Sequence, residues 1–354
     1  MKIVTVIGAR PQFIKASVIS NLLKNRDDIE EVIFNTGQHF DKGMCDVFFN
    51  ELNIPEPKYN LAINSCSHGK MTGRMMQLME TLLMIEQPDM VLVYGDTNST
   101  LAGALTASKL HIPIAHVEAG LRSYDKRMPE EINRILTDHV STYLFCPTIQ
   151  SVKNLLKEGF EAESGIKLVG DIMYDLFIKY KDKCKGRNII NKLPKKDFCL
   201  MTIHREENTT SENIYKILSM VQDVSEKYDL NFVFPVHPRT RKLIKSIIDF
   251  PDILFADNMS YTDMLCLEMN SKLIVTDSGG VQKEACWCGV NCITIRNSTE
   301  WVETLTTGWN TLVGLDENKF KNMVEYFLTN KNNREIPDYG DGKTGEKIIE
   351  ELLR

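Results

Sequence analysis

Short apolar runs alternate with longer amphipathic stretches along the whole chain. Residues 2–7 (KIVTVI) form an almost continuous apolar run, and a helical pattern follows over 12–25. Such a run followed by a helix is typical of a parallel sheet that helices cover on both faces. The alternation predicts further strands near 31–35, 90–94, 113–117, 142–146, 198–203, 231–236, 252–255, 272–276 and 291–295. It predicts further helices near 43–52, 70–87, 98–109, 129–140, 211–227, 239–249, 260–269, 280–288, 317–329 and 343–353.

The alternation restarts after a charged, Lys-rich stretch at 181–197, which has little apolar periodicity. We place the domain junction there and predict Rossmann-like domains over 1–180 and 190–340, followed by a terminal helix in 341–354. Two doubly wound parallel sheets with a cleft between them is the simplest α/β architecture for this pattern. Ligands in such sheets bind beyond the carboxyl ends of the strands.

Composition narrows the class of protein. The formal net charge of −6 and the absence of a basic run disfavour nucleic-acid binding. No apolar run is long enough to span a bilayer, and the N-terminus lacks a signal-peptide pattern. Nine irregularly spaced cysteines suit reduced thiols and a cytoplasmic location better than a disulfide framework. The histidines, cysteines and acids show no metal-binding spacing, so we expect no metal.

The first strand ends in a turn that carries two cations. Arg10 follows Gly8-Ala9, and Lys15 lies one helical turn further on. Cations near a helix N-terminus suit an anion, although a solvated Arg and Lys after a helix-initiating Pro11 is the alternative. The G-x-G-x-x-G spacing is missing, which disfavours NAD.

Acidic residues follow the next predicted strands. Asp96 and Glu118 each come directly after an apolar run, where the cleft is expected, and Glu130 opens a helix. A helix cap can explain Asp96, and the helix dipole can explain Glu130, whereas Glu118 is poor core material. Glu130 and Arg134 have the i, i+4 spacing of an ion pair.

The second half repeats this arrangement of polar residues at strand ends. His204 and His237 each end a strand and precede an arginine, Arg205 and Arg239 respectively. Arg296 follows a later strand and is a candidate for holding sugar groups.

Asp277-Ser278-Gly279-Gly280, between a strand and a helix, is the strongest single signal. Glycines let a backbone approach a ligand closely, and Ser278 with free N–H groups can hold a diphosphate. A tight turn explains the glycines equally well, but it does not explain Glu284, which lies about one turn further on and can accept ribose hydroxyls.

Taken together, these segments resemble the non-hydrolysing UDP-N-acetylglucosamine 2-epimerases over nearly the whole chain. The resemblance implies a GT-B-like fold, a UDP-sugar substrate, no cofactor, a homodimer, a role in polysaccharide biosynthesis and a last helix that crosses back to the first domain. The segments that carry it occur in the family's order: GARPQFIKA, TGQHFD, YGDTNSTLAGA, HVEAGLRS, PEEINR, HREENT, HPRT and DSGGVQKEA.

The resemblance also implies a chemistry. UDP leaves C1 as C2 loses its proton, and the resulting 2-acetamidoglucal takes UDP back with a proton on the opposite face. By resemblance, Asp96, Glu118, Glu130 and His204 are catalytic. Arg134 orients the sugar. The implied UDP-binding residues are Arg10, Lys15, His204, Ser278, Gly279, Gly280 and Glu284. Gln38, His39, Arg74 and the segment His237–Arg239 lie where some members bind a second, activating UDP-sugar.

One departure concerns the substrate. Many members have R-P-E in the first turn, whereas this chain has Arg10-Pro11-Gln12, and loss of that carboxylate can make room for an anionic sugar. Gln12 and the segment MTGRM (71–75) are similar to the subgroup that epimerises UDP-2,3-diacetamido-2,3-dideoxy-glucuronate. The alternatives to epimerisation are a GT-B glycosyltransferase, a hydrolysing epimerase and a non-catalytic UDP-sugar sensor.

Overall fold

A computed structural model describes residues 1–38, 48–162, 165–236, 238–244, 250–257, 259–330 and 334–354, without the side chains of residues 185, 186, 238, 239 and 242. The chain divides into two compact units. Unit 1 comprises Met1–Lys179 and Asp338–Arg354, and unit 2 comprises Tyr180–Pro337. The C-terminal segment therefore belongs to the same unit as the N-terminus.

Unit 1 contains a seven-stranded sheet in which every pairing is parallel. The strand order is β3-β2-β1-β4-β5-β6-β7, so the order reverses direction between β1 and β4. Its strands are β1 (Lys2–Ile7), β2 (Glu30–Asn35), β3 (Tyr59–Asn60), β4 (Met90–Tyr94), β5 (Ile114–Val117), β6 (Tyr143–Cys146) and β7 (Ile166–Leu168).

The helices of unit 1 connect these strands and bury their apolar faces on the sheet. Their bounds are α1 (Arg10–Leu23), α2 (His68–Glu86), α3 (Asn98–Lys109), α4 (Pro129–Val140), α5 (Ile149–Lys157), α6 (Ile172–Tyr180, whose last residue falls in unit 2) and, at the C-terminus, α13 (Thr344–Leu352). One core cluster joins the methionines of α2 (Met71, Met75 and Met79) to Val residues of β1 and β4.

Unit 2 contains a six-stranded sheet, again with only parallel pairings, in the order β10-β9-β8-β11-β12-β13. Its strands are β8 (Cys199–Thr202), β9 (Phe232–Pro235), β10 (Ile253–Ala256), β11 (Ile274–Thr276), β12 (Cys292–Thr294) and β13 (Asn310–Leu312). Its helices are α7 (Ser211–Tyr228), α8 (Pro238–Ile244), α9 (Tyr261–Asn270), α10 (Gly279–Trp287), α11 (Val302–Thr306) and α12 (Glu317–Thr329).

The predicted pair of Rossmann-like parallel sheets is confirmed. The sequence pattern missed the strands β3, β7 and β13, which have two or three residues each, and the helices α5, α6 and α11. The Lys-rich stretch at 181–197 lies within unit 2, where Lys181–Gly186 and Ile190–Lys192 form 3-10 helices. Residues 39–47 lie outside the described part of the chain, and with them lie His39 and the first half of the helix predicted near 43–52.

The topology fixes where a site can form in each unit. In doubly wound sheets, ligands bind where the strand order reverses. That position is the carboxyl end of β1, β4 and β5 in unit 1 and of β8 and β11 in unit 2. Arg10, Asp96, Glu118, His204 and Ser278 follow these five strands, whereas Arg296 follows β12.

Candidate functional site

In unit 1, the turn after β4 and the turn after β5 are adjacent. The ammonium of Lys15 on α1 lies 2.5 Å from the Oε1 atom of Glu118, and both side chains are 8% exposed. Gly95 lies against this pair. A Cβ atom on Gly95 would be 3.1 Å from the Lys15 ammonium and 3.6 Å from the Glu118 carboxylate, so a larger residue would crowd the pair. Lys15, Glu118 and Gly95, the residue before Asp96, are therefore close together.

Glu118 has a backbone φ of +75°, in the left-handed region that residues other than glycine seldom adopt. Its N–H and that of Ala119 both donate to the carbonyl of Phe145, which holds the turn in place. Uncommon backbone conformations of this kind concentrate at functional sites. The turn directs the Glu118 carboxylate towards Lys15 instead of continuing β5.

The structure places Asp96 against Arg134 of α4. The Asp96 carboxylate accepts from one guanidinium nitrogen, and the other donates to Glu131 at 2.7 Å. Thr97 is the N-cap of α3 and accepts from the N–H of Thr100, so Asp96 is not the cap.

The predicted pairing of Glu130 with Arg134 is wrong. Arg134 is 2% exposed and directs its guanidinium inward to Glu131 and Asp96, whereas Glu130 is only half-buried. Within the residues that the structure describes, the Glu130 carboxylate makes no hydrogen bond or ion pair.

Gln12 replaces the glutamate that many family members have, and this change was predicted to make room for an anionic sugar. The structure instead encloses the Gln12 side chain. It is 1% exposed, and its Oε1 accepts from the N–H groups of Gly8 and Ala9. Its Nε2 donates to the carbonyl of Tyr94 and to the hydroxyl of Thr100. The side chain therefore caps its own helix and joins that helix to the end of β4.

Arg10 and the residues considered for an activating ligand each contact other parts of unit 1. The Arg10 guanidinium lies 4.8 Å from the centre of the Phe48 ring. Gln38 accepts from both the N–H and the hydroxyl of Ser99, at the start of α3. Arg74 is exposed on α2 and contacts Cys66.

A buried charged network lies beneath the acids and was not predicted. Asp138 on α4 is 0% exposed and binds His116, Arg122 and the N–H of Gly120. Burial alone would raise the pKa of the Asp138 carboxyl, but His116 and Arg122 overcome this and hold the pKa below its usual value.

The spacing of the charged residues in α4 indicates this network. Glu131, Arg134 and Asp138 recur at three and four residues and share one helix face, which the structure buries. Ile132 and Leu136, on the remaining surface, are 45% and 42% exposed. The usual amphipathic pattern is thus inverted, with the charges inside and two large apolar residues outside.

In unit 2, Asp277 joins the ends of β8 and β11. Its carboxylate is 0% exposed and accepts from the backbone N–H groups of His204 and Arg205 and from the side-chain amide of Asn208. The His204 Nδ1 atom lies 3.2 Å from the same carboxylate, while the imidazole remains about half exposed. This arrangement presents the His204 ring beside the start of α10.

The Ser278-Gly279 turn packs closely against Glu300 and Trp301. Ser278 is the N-cap of α10, and its side chain makes no capping hydrogen bond. A Cβ atom on Gly279 would come within 2.5 Å of the Glu300 Oε1 atom and 3.1 Å of the Trp301 Nε1 atom. A side chain at Gly279 would therefore fit only if Glu300, Trp301 or the turn itself shifted, whatever binds in front of Gly279 and Gly280.

Two predicted binding residues of unit 2 are more buried than expected. Glu284 is 6% exposed, and burial, assisted by the charge of Glu284, raises the pKa of Tyr261 well above its usual value. Arg296 is 3% exposed and forms an ion pair with Glu300 at 2.8 Å. The structure thus gives Arg296 a supporting contact behind Gly279. His237 and the side chain of Arg239 lie outside the described residues.

In the part of the chain that the structure describes, no three His, Cys, Asp or Glu side chains form a group that could hold a metal ion. No described helix is both long and apolar enough to cross a bilayer.

Comparisons with known proteins agree with these features. The sequence profile of a family described as UDP-N-acetylglucosamine 2-epimerase matches residues 21–353. A UDP-2,3-diacetamido-2,3-dideoxy-D-glucuronate 2-epimerase of Pseudomonas aeruginosa is 46% identical over 358 residues, which cover 100% of each chain. A UDP-N-acetylglucosamine 2-epimerase of Methanocaldococcus jannaschii is 45% identical over 361 residues, which cover 99% of this chain and 98% of the relative.

A solved structure extends the likeness to three dimensions. The crystal structure of the Methanocaldococcus jannaschii UDP-GlcNAc 2-epimerase in complex with UDP-GlcNAc and UDP is similar with a TM-score of 0.94 and 44% identity, over 100% of this chain and 99% of that one. Full-length matches at this identity, together with the family profile, leave no large part of the chain unaccounted for. The chain belongs to the UDP-N-acetylglucosamine 2-epimerase family, whose members are isomerases.

Proposed function

We propose that this protein interconverts UDP-N-acetylglucosamine and UDP-N-acetylmannosamine by eliminating UDP and adding it back. The observation that carries the proposal is the placement of Asp96 and Glu118 on adjacent strand ends, each against a buried cation. A reaction that removes and returns a proton at C2 needs acid–base groups on both faces of the sugar. Asp96, Glu118 and Glu130 are the groups that unit 1 offers.

In the elimination, a carboxylate takes the C2 proton, and the C1–O bond breaks with its electron pair remaining on UDP. The sugar becomes a 2-acetamidoglucal. In the second half of the reaction UDP adds back to C1 of the glycal, and a second acid delivers a proton to the opposite face of C2. Lys15, Arg10 and Arg134 supply positive charge around the departing diphosphate and the sugar.

Unit 2 supplies the proposed UDP-binding residues. The N-terminus of α10 carries free backbone N–H groups, the Ser278 side chain and Gly279, which packs closely against its neighbours. Asp277 holds His204 beside it, where the imidazole can assist the departing diphosphate oxygen. Glu284 is proposed to accept the ribose hydroxyls.

The test is incubation with UDP-N-acetylglucosamine in heavy water, followed by proton NMR of C2. Deuterium at C2 together with the manno product supports the proposal. Free N-acetylmannosamine would indicate hydrolysis, UDP release that depends on an acceptor would indicate a glycosyltransferase, and binding without deuterium uptake would indicate a sensor. Asp96→Asn should abolish uptake, while Glu350→Gln, which removes one exposed carboxylate from α13, should not.

A second candidate substrate is UDP-2,3-diacetamido-2,3-dideoxy-glucuronate. The Pseudomonas aeruginosa relative that bears this name is 46% identical over the full length, and the segment at 71–75 is similar to that subgroup. Because Gln12 is enclosed, it gives this candidate no support as a residue facing the sugar. Offering both nucleotide sugars in the same NMR assay separates the two by their kcat/KM ratio.

Activation by a second UDP-sugar remains a separate proposal. Gln38 joins the start of α3, directly after the Asp96 turn, so a ligand on Gln38 would lie close to the catalytic acids. Turnover of the manno sugar that is lost when the gluco sugar is withheld would support activation. Hyperbolic rates with the manno sugar alone would contradict it.

The inverted amphipathicity of α4 supports a homodimer. Ile132 and Leu136 of α4, and Leu78, Met84 and Ile85 of α2, are exposed, and α3 packs between these two helices. Large apolar groups that are exposed on one surface of a protein are typical of an interface. Light scattering after size exclusion should give about twice the chain mass, and Ile132→Lys with Leu136→Lys should halve it.

The described cysteines are all free thiols, which supports the proposed cytoplasmic location. Fractionation of cells that produce the tagged full-length protein tests this directly, since the protein should be recovered with cytoplasmic markers.

A further inference from the structure

His116 on β5 is fully buried, and both of its ring nitrogens have a partner. Nδ1 lies 2.6 Å from the Oδ1 atom of Asp138, and Nε2 lies 2.7 Å from the carbonyl oxygen of Gly95. Neither contact belongs to the acid–base groups proposed for the reaction. The residue therefore has no role yet in the proposed function.

The partners of His116 determine how many protons it carries. A peptide carbonyl can only accept a hydrogen bond, so Nε2 must donate to Gly95. Asp138 also accepts from Arg122 at 2.6 Å and from the N–H of Gly120 at 3.1 Å, which favours its ionised form. With a carboxylate opposite Nδ1, that nitrogen must donate as well. The ring is thus a doubly protonated imidazolium.

The hydrogen bonds of His116 and Asp138 end on the two turns that carry the acids. The Gly95 carbonyl belongs to the peptide that joins Gly95 to Asp96, so the contact with His116 sets the plane of that peptide. The Gly120 N–H lies two residues after Glu118 and is held by Asp138. Asp138 also lies on α4, the helix that carries Glu130 and Arg134.

We propose that His116 is a positioning residue of the epimerase reaction: an imidazolium that, through Asp138 and Gly95, holds Asp96 and Glu118 in register. The inference rests on the proposed function for the part that concerns catalysis, but the charge state of the ring stands on geometry alone. The two parts therefore have separate tests.

The imidazolium also contributes charge. The groups packed around it are Asp138, Arg122 and, next to that pair, Glu158 and the Cys146 thiol, whose pKa burial raises to about 12. Two cations thus face two carboxylates, and loss of one cation leaves a net negative charge beneath Asp96. Negative charge raises the pKa of nearby carboxylic acids. Replacement of His116 should therefore move the acidic limb of the kcat/KM profile to higher pH.

The first test is NMR of the full-length wild-type protein with ¹⁵N-labelled histidine. The His116 ring signals, assigned by their loss in His116→Gln, should show two protonated nitrogens at neutral pH. A nitrogen that behaves as an unprotonated acceptor at neutral pH would overturn the charge state, whether or not the protein is an epimerase.

The second test is kinetic. His116→Gln, which keeps a single donor group, and Asp138→Asn should each lower kcat by about 10²-fold, the effect of displacing reacting groups by about 1 Å, with KM changed much less. Glu86→Gln is the control, since it breaks a buried charged cluster elsewhere in unit 1. That variant should lower the melting temperature and leave kcat and the pH profile unchanged.

Equal losses of kcat in His116→Gln and Glu86→Gln at matched stability, or an unmoved acidic limb in His116→Gln, would overturn the positioning role. Absence of deuterium uptake in the wild-type protein would instead refute the proposed function, and the NMR result on ring protonation would still hold.

Discussion

The Asp277 carboxylate accepts the backbone N–H of His204 at 3.1 Å, so the ends of β8 and β11 are joined by one buried side chain. The same carboxylate accepts from Arg205 and Asn208. Because these donors converge from one loop, the position of His204 depends on a group that itself has no contact with solvent. His204, the half-exposed residue proposed for catalysis in unit 2, is thus held in place by the fully buried Asp277.

Asp277→Asn should therefore destabilise unit 2 and impair catalysis together. The amide NH₂ of asparagine would face a donor, which leaves a buried group unsatisfied at a cost of about 1–3 kcal/mol. Urea unfolding gives the free-energy change, and the heavy-water assay gives the activity. Asp316→Asn is the matched control, since the exposed Asp316 caps α12 and asparagine caps equally well. Equal effects of the two substitutions would contradict the role given to Asp277.

Lys15 and Glu118 should behave as one unit. Glu118→Gln is expected to lower C2 deuterium uptake by about 10²–10⁴-fold, the usual contribution of an acid–base group. Lys15→Met should also lower it, because Lys15 lies 2.5 Å from that carboxylate. The double variant should lose far less than the product of the two single effects, with an interaction energy of about 0.5–3 kcal/mol. Simple multiplication of the effects would show that the ion pair has no part in the chemistry.

The strands and helices were predictable because apolar periodicity reports burial directly. The runs at 2–7 and 90–94 are strands with those bounds, and the helices at 98–109 and 129–140 begin and end as expected. The strands β3 and β13, with two and three residues, were missed, whereas the three-residue strands β11 and β12 were predicted because each lies in a longer apolar run.

The candidate site was only partly predictable, for a different reason. Strand ends pointed to Asp96, Glu118 and His204, because topology brings strand ends together. The choice of Arg134 between Glu130 and Glu131 depends on which way a long side chain turns, and spacing alone does not determine that. Asp138 and Asp277 were missed as supporting residues because a buried acid reveals its role only through its partners.

Glu86 should contribute to stability in acid. Hydrogen bonds from Lys58, Tyr59 and Lys2 lower the pKa of its carboxyl to about 2. A carboxyl whose pKa is lower in the folded state stabilises the fold above the unfolded value of about 4.3 and loses this contribution as pH falls through the folded value. Urea midpoints should therefore fall more steeply from pH 5 to pH 2 in the wild-type protein than in Glu86→Gln. Glu350→Gln should keep the wild-type slope, and an unchanged slope in Glu86→Gln would contradict the shift.

Gly279→Ala should weaken the binding of UDP more than it weakens the fold. The new methyl group would lie 2.5 Å from the Glu300 Oε1 atom, so one of the two must shift. Because Glu300 is buried and paired with Arg296, we expect the start of α10 to move away from Glu300 and Trp301, towards the side on which the diphosphate is proposed to bind. We expect a loss of UDP affinity of at least tenfold by isothermal titration, which is about 1.4 kcal/mol. Gly69→Ala is the matched control, because a Cβ atom at Gly69, in the first turn of α2, meets no atom within 4 Å. It should bind UDP as the wild-type protein does. Unchanged affinity in Gly279→Ala, with the fold intact by circular dichroism, would remove the diphosphate from this turn.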